Sequence, residues 1–452
     1  MNTIVYYRGE FYAYDGCSWK PVEIQALRKE KYEWLSGAYY FDHNGELQPF
    51  KPTKSKIDNV LDALKATVFM PASIEPPTWI GPRRKEFPPA SEFIPFQNGL
   101  LHIPTRRLYD PTPEFFTTYH LPYKFTHELQ EPKTLLRILH DQWADDPESI
   151  ETLQEAMGLL LTADVNLHKM FLLVGPPRAG KGLIASVIKA MVGEENYISP
   201  SLASLAGQFG MQPFIGKTVA LIADARLGRQ PNETLIVERM LNISGGDTVT
   251  IDRKYMETWT GKLPTRIVIM SNEVPRLNEA SGALAGRFVI LRFTRSFLGQ
   301  EDTSLQSRLF EEVPSIISWA LDGLDRLRAR GEFRQPESGS DLAELLSESS
   351  SPVMSFVRNY CEIEPGLLIE TKELYDAWVS WCHMIGRNPA DDSTFGTDLR
   401  AAIPTVTRSR LRTGPNGTRV PHYVGIGLNE KGRALKYDGL SSVSEGVLLG
   451  TG

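Results

Sequence analysis

Met170-Phe171-Leu172-Leu173-Val174 runs into Gly175-Pro176-Pro177-Arg178-Ala179-Gly180-Lys181-Gly182 and on into Leu183-Ile184-Ala185-Ser186-Val187-Ile188. An apolar run feeds a Gly-containing turn, and the turn opens onto residues with helical spacing. This is G-x-x-x-x-G-K in the strand–loop–helix setting that its chemistry requires. Gly175 and Gly180 are expected to let the backbone curl, so that several N–H groups face one anion. A helix starting near Lys181 adds its positive end, and Lys181 brings a full charge to the β- and γ-phosphates. The segment 175–182 is therefore the candidate phosphate cradle, with ATP and Mg²⁺ as expected cofactors. The Ser or Thr that usually follows the lysine and touches Mg²⁺ is here Gly182, so water and other groups must complete the metal shell.

The 452 residues allow two to four domains, and a net charge of −6 requires any nucleic-acid contact to come from local basic patches. Cys17, Cys361 and Cys382 are far apart, with no C-x-x-C pair and no sign of a disulfide framework. No apolar run approaches the ~18 residues of a membrane span, and the first ten residues lack a basic-then-apolar signal. A soluble protein of the cell interior, without a membrane partner, is expected.

Ile4–Tyr7, Phe11–Tyr14 and Tyr39–Phe41 are strand-like aromatic runs between turn residues, and Lys56–Phe69 has helical periodicity. They are read as a small α+β core rather than a platform for stacking bases. Seven prolines between Pro71 and Pro95 suggest a linker or irregular arm. Asn98-Gly99 between apolar runs signals a hairpin or tight bend. Helices are expected within Pro132–Ala163. Downstream, Thr218–Asp224 is a buried strand ending in a carboxylate, the Walker B pattern, with Asp224 placed to hold the metal shell. Ala225 stands where many ATPases carry a second acid. Glu233–Ile243 reads as a helix carrying Glu238, a candidate for the missing water-activating acid; Asp247 and Asp224 itself are the other candidates. Thr248–Lys262 suggests a hairpin with Arg253, Lys254 and Tyr255 near its tip. Arg266–Asn272 is a strand ending in a polar residue, and Arg287 precedes another, Phe288–Leu291. Leu305–Arg330 reads as one helix ending at Gly331. Further helices and two strands around Gly414–Gly417 suggest a winged helix. Its stretch from Leu399 to Asn429 has no acid and contains Arg408, Arg410 and Arg412. Residues 436–452 are expected to be disordered.

The ordered series of P-loop, strand ending in Asp224, basic hairpin, strand ending in Asn272 and Arg287 fifteen residues later resembles the superfamily 3 helicases, an AAA+ branch of viruses, phages and plasmids. It is most similar to the phage/plasmid primase–helicase family related to poxvirus-type primase-helicases. The resemblance spans about residues 90–430 and includes Asn98-Gly99-Leu100, Phe115–Thr117 and Ile316–Leu324. It implies an α/β fold: an AAA+ P-loop core with an N-terminal α+β domain, a helical collar and lid, and a winged helix. The corresponding boundaries are 1–128 for the N-terminal domain with its Pro-rich arm, 129–165 for the collar and 166–297 for the core. The lid takes 298–348, the winged helix 349–430 and a flexible tail 431–452.

The resemblance further implies an ATP-dependent DNA helicase of a phage, prophage or plasmid, forming a hexameric ring in the bacterial cytoplasm on single-stranded or forked DNA. Arg287 would reach the neighbouring subunit's nucleotide, Lys181, Asp224 and Asn272 would serve catalysis, and the hairpin would grip DNA in the channel. No acidic triad or zinc site of a primase is present, so priming would fall to a separate primase or polymerase partner or would not occur. Two other classes compete. One is a non-translocating, nucleotide-switched initiator or packaging scaffold, favoured by Ala225. The other is a small-molecule kinase, suggested by Gly-Lys-Gly and disfavoured by the Asn272 strand and the basic hairpin.

Overall fold

The computed structural model describes residues 3–435 apart from 82–84, 129, 224–231, 276, 278–282, 301, 303 and 414–417. The chain divides into two units, one of residues 1–225, 238–273 and 289–339, the other of 226–237, 274–288 and 340–452.

The first unit begins with β1 (Ile4–Tyr7) and β2 (Glu10–Tyr14). They are joined by Arg8 and Gly9 at φ 47° and 86°, the left-handed pair that a tight two-residue hairpin turn needs. β3 (Trp19–Val22) and α1 (Ile24–Ser36) follow, then β4 (Tyr39–Phe41) and β5 (Leu47–Pro49). The Thr53 hydroxyl caps α2 (Lys54–Thr67) by accepting from the Lys56 N–H, and β6 (Phe69–Met70) completes a sheet of order β3-β2-β1-β6. The aromatics of the first strands do form a core: Tyr7, Phe11, Tyr12 and Trp19 are buried. Tyr39, Tyr40 and Phe41 do not, because β4 and β5 form a separate two-stranded ribbon and all three side chains are exposed.

The proline-rich stretch is docked, contrary to a free linker. It contains β7 (Thr78–Trp79), whose Trp79 is buried, stacks on Phe87 at 4.2 Å and donates to the Pro88 carbonyl at 2.9 Å. β8 (Phe93–Phe96) and β9 (Gly99–His102) make the hairpin expected at Asn98-Gly99, followed by β10 (Arg107–Tyr109) and β11 (Phe115–Phe116).

The helices α3 (Lys133–Gln142) and α4 (Pro147–Leu160) lead into β12 (Met170–Val174) and α5 (Lys181–Val192). Next come β13 (Tyr197–Ile198), α6 (Leu202–Leu205), β14 (Val219–Ala223) and α7 (Glu233–Gly245). The hairpin strands β15 (Thr248–Ile251) and β16 (Trp259–Lys262) precede β17 (Arg266–Ser271) and β18 (Phe288–Arg292). The principal sheet has the order β13-β14-β17-β12-β18, with β13, β14, β17 and β12 mutually parallel. Both faces of such a sheet are covered, which is why its strands read as unbroken apolar runs.

The pattern expected to form one helix over 305–330 is two, α8 (Leu305–Glu311) and α9 (Val313–Arg330). Pro314 has no N–H to continue α8 and suits the first turn of α9. Glu312 at the break caps α3, accepting from the Thr134 N–H at 3.0 Å and its hydroxyl at 2.6 Å. α4 and α9 cross closely at Gly158 and Gly323, where a Cβ would lie 2.2 Å from the Ala320 carbonyl oxygen and 2.6 Å from Gln154 backbone. The buried Glu155 carboxylate beside this crossing is held by Arg326 and Arg330.

The second unit contains α10 (Ser340–Ser350), α11 (Pro352–Tyr360), β19 (Cys361–Glu362), β20 (Leu368–Glu370), α12 (Thr371–Met384) and α13 (Asp392–Ala402). β21 (Thr407–Leu411), β22 (Val420–Val424) and β23 (Gly427–Leu428) follow. Phe356, Trp378, Trp381, Phe395 and Tyr423 form its core. β20, not foreseen, pairs with the far edge of β22 and gives a sheet of order β20-β22-β21. The Gly414–Gly417 turn and the tail 436–452 lie outside the described residues.

Candidate functional site

The turn after β12 is built by close approach and by two left-handed residues. The Gly175 N–H donates to the Ser271 carbonyl at 3.3 Å, and a Cβ on Gly175 would stand 2.2 Å from the Phe293 carbonyl oxygen. Gly175 is thus required by packing against the chain after β18, which corrects the expectation that it serves the curl. Gly180, at φ 91°, does serve it, together with Arg178 at φ 61°. The first helical bond of α5 runs from the Ile184 N–H to the Gly180 carbonyl at 3.0 Å. The N–H groups of Lys181, Gly182 and Leu183 therefore have no helical acceptor and present the positive end of α5.

Lys181 is buried. Its ammonium donates to the carbonyls of Gly175 at 2.6 Å and Pro176 at 2.8 Å and to Asn272 Oδ1 at 3.2 Å. Burial pushes its pKa down. Asn272 follows the last residue of β17, whose Ser271 pairs with Val174 of β12, so the adjacent strand ends bring the two side chains together. Around them lies a cleft of about 870 Å³ lined by Pro177–Leu183, Ser186 and Asn272, with Arg137, Ile138 and Asp141 of α3 and Arg295, Phe297, Gln300, Asp302, Leu305 and Gln306 on its other sides. The chain after β18 braces the turn: the Phe297 N–H donates to the Arg178 carbonyl at 3.0 Å and the Ser296 hydroxyl to that of Pro177 at 2.9 Å.

Arg137, Asp141, Arg295, Phe297, Asp302 and Gln306 were not foreseen. They stand on elements far in sequence from the turn, and only the polar run after the apolar β18 hints at them. The Arg295 guanidinium lies 5.1 Å from the Phe297 ring and donates to the Asp141 carbonyl at 3.1 Å. The hydroxyl and N–H of Ser304 hold the Asp302 carboxyl below the usual range, with Arg308 and Arg137 adding to the effect.

The donor set fits a nucleoside triphosphate. Lys181 and the first-turn N–H groups could supply anion contacts, and Ile138, Leu183, Phe297 and Leu305 line the cleft with apolar walls. A side chain at Gly182 would meet nothing within 4 Å, so the missing hydroxyl reflects residue choice, not crowding. Among the described residues, no three His, Cys, Asp or Glu side chains gather as a metal site.

Asp224 and Ala225 lie outside the described residues. Glu238 is exposed on α7 and is not among the residues lining the cleft; Asp247 is likewise exposed and absent from it. Arg239 donates to the Gly207 carbonyl at 2.7 Å. Arg287 is half-buried on the 3₁₀ turn before β18, in the second unit.

Arg253 is not the exposed tip residue that was expected. It is buried, donating to Glu10 Oε2 at 2.5 Å and to the Glu257 carbonyl at 2.8 Å. Lys254 and Tyr255 are exposed, the tyrosine at 94%. Arg408 and Arg410 share one face of β21 by alternation, Arg412 follows the strand, and all three are exposed. Among the described residues, no helix is long and apolar enough to cross a membrane.

Residues 3–157 match the family described as D5 N terminal like, and residues 173–287 match a family of unknown function, DUF5906. The A form apo structure of the NrS-1 C terminal region (305–718) is similar at 13% identity and a TM-score of 0.50, over 94% of this chain and 96% of that one. Another apo structure of this region gives 15% identity and a TM-score of 0.44 over 90% and 100% of the two chains. The chain thus carries a D5 N-terminal-like region ahead of a DUF5906 region that holds the Lys181 turn, in a fold shared with the NrS-1 C terminal region.

Proposed function

We propose that the chain is an ATP-driven motor of phage, prophage or plasmid DNA replication, an AAA+ ATPase of the superfamily 3 type translocating on single-stranded DNA. The observation that carries this reading is the meeting of Lys181 and Asn272 at the ends of neighbouring parallel strands. β17 lies between the P-loop strand β12 and the strand β14, whose chain continues to Asp224. That insertion lets the polar residue just after β17, Asn272, report on the group held by Lys181.

In this mechanism Lys181 leaves the Gly175 and Pro176 carbonyls to bind phosphate oxygens. The first-turn N–H groups orient the same phosphates, and Asn272 orients Lys181 and the attacking water. Asp224 is the residue assigned to hold the shell of a Mg²⁺ ion bound with ATP, which would supply charge neutralisation on the phosphates. Glu238 and Asp247 are exposed and do not line the cleft, so Asp224 is assigned as the principal acid. Arg287 would complete the site of an adjacent subunit in a hexameric ring. Lys254, Tyr255 and the β21 arginines would contact DNA, and a separate primase or polymerase would work alongside in the bacterial cytoplasm.

The test is ATP turnover with and without single-stranded DNA. Stimulation by DNA supports the motor. Nucleotide binding with no DNA-dependent turnover would favour the nucleotide-switched scaffold, to which Ala225 in place of a second acid points.

A further inference from the structure

Two hairpins separated by more than two hundred residues meet at their turns. From the β15–β16 side, Arg253 Nη1 donates to Glu10 Oε2 at 2.5 Å and Nη2 to the Arg8 carbonyl at 3.4 Å, while Nε closes its own loop on the Glu257 carbonyl. From the β1–β2 side, the Arg8 guanidinium lies 4.9 Å from the centroids of both Tyr7 and Trp259 and pairs with Glu75. It rests on Gly261, where a Cβ would come 2.0 Å from Arg8 Nη1. The Arg8 and Arg253 side chains are only 5% and 4% exposed. Beyond this fixed base the loop changes character. Lys254 is exposed with its ammonium 5.1 Å from the Tyr255 ring, Tyr255 is left-handed at φ 62°, and Met256 is 44% exposed.

We propose that the β1–β2 turn is the positioning element of the β15–β16 tip. Glu10 and Arg8 hold the base of the loop through Arg253 and Trp259, and so set how Lys254 and Tyr255 are presented to a single strand. A buried arginine whose carboxylate partner is removed keeps its desolvation without its compensation, so the loop base loosens when Glu10 loses its charge. Arg253 is then a positioning residue, distinct from the phosphate-gripping residue that its place in the hairpin suggests. The DNA consequence rests on the function proposed above; the clamp itself does not.

The experiment uses Glu10→Gln in the full chain, which keeps shape and removes charge. Hydrogen exchange at residues 252–258, read without DNA, is expected to accelerate while exchange in the principal sheet stays unchanged. Unchanged exchange at 252–258 overturns the proposal. With oligothymidylate, the concentration for half-maximal stimulation of ATP turnover is expected to rise roughly tenfold, inside the hundredfold that ångström-scale misplacement can produce. Turnover without DNA stays within about twofold of the parent, because Glu10 is not among the residues lining the cleft. Arg253→Gln should raise the half-maximal concentration equally, and the double substitution no further. A salt slope lowered by roughly 0.7 in Arg253→Gln but not in Glu10→Gln would mark a lost phosphate contact and overturn the positioning role. Faster loop exchange in a chain whose turnover never responds to DNA would sink the motor reading and leave the clamp standing.

Discussion

Asn272→Asp places a carboxylate where the Lys181 ammonium now finds a neutral acceptor at 3.2 Å. Unit charges at that separation attract by about 1 kcal/mol in water-like surroundings and about 5 kcal/mol at an effective dielectric of 20. Asn272 is exposed while Lys181 is buried, so the lower half of that range applies. The new pair competes with phosphate for Lys181, and the carboxylate repels the triphosphate besides. We expect Mg-ATP affinity to fall by about 1.4–2.8 kcal/mol, roughly 10- to 100-fold. Equilibrium displacement of a fluorescent ATP analogue measures this, at low and high salt, and screening should narrow the gap at high salt. Asn272→Ala is the control, because it removes one hydrogen bond, worth about 0.5–1.5 kcal/mol, without adding charge. An Asn272→Asp protein that binds Mg-ATP as tightly as the parent at low salt would show that Lys181 and Asn272 do not meet in the working protein.

Lys181→Ala should abolish turnover with the fold retained, and mixing it with Arg287→Ala subunits should restore some, because one mixed interface pairs an intact lysine with an intact arginine; no recovery in co-assembled mixtures refutes a trans arginine. Gly182→Ser, entering open space, should fold normally and lower the Mg²⁺ concentration for half-maximal turnover; an unchanged Mg²⁺ titration refutes a metal-facing position. Replacing Arg408, Arg410 and Arg412 together by Ala should reduce the log–log salt slope of single-strand binding by roughly 2, at about 0.7 per phosphate, and an unchanged slope removes the strand from the DNA surface. Burial pushes the Cys361 and Cys382 thiols up to about 12 and about 11, and Cys17 is raised by burial and Asp15. Thiolates thus form only at alkaline pH, so disulfide-exchange labelling of the native protein should reach Cys17 alone and quicken as pH rises, with all three labelled after unfolding; rapid labelling of three thiols at neutral pH would contradict the packing.

Features set by neighbours in the chain were legible. The Gly180 turn between strand and helix, the Asn98-Gly99 hairpin, the β15–β16 hairpin and the strands β12, β14, β17 and β18 of the principal sheet follow from turn chemistry and apolar periodicity, and the structure has each of them; β13, two residues long, was not foreseen. The apolar stripe across 305–330 does not show the break at Pro314 that divides it into α8 and α9. Tyr39–Phe41 is the strand expected, but not part of the core, because periodicity announces a strand without saying whether another layer covers it.

The sequence by itself determined that residues 170–192 form a strand, a left-handed turn and a helix, because the apolar run and Gly180 act on their immediate neighbours. Tertiary structure alone decided which side chains share a site. Lys181 meets Asn272 across 91 residues and Arg253 meets Glu10 across 243, and a basic residue in a hairpin loop looks the same in sequence whether it is clamped or free. Arg253 and Lys254 are adjacent and alike in charge, yet one is buried on a carboxylate and the other is exposed. The difference lies in the β1–β2 turn, which supplies one of them with a partner strong enough to offset its loss of water.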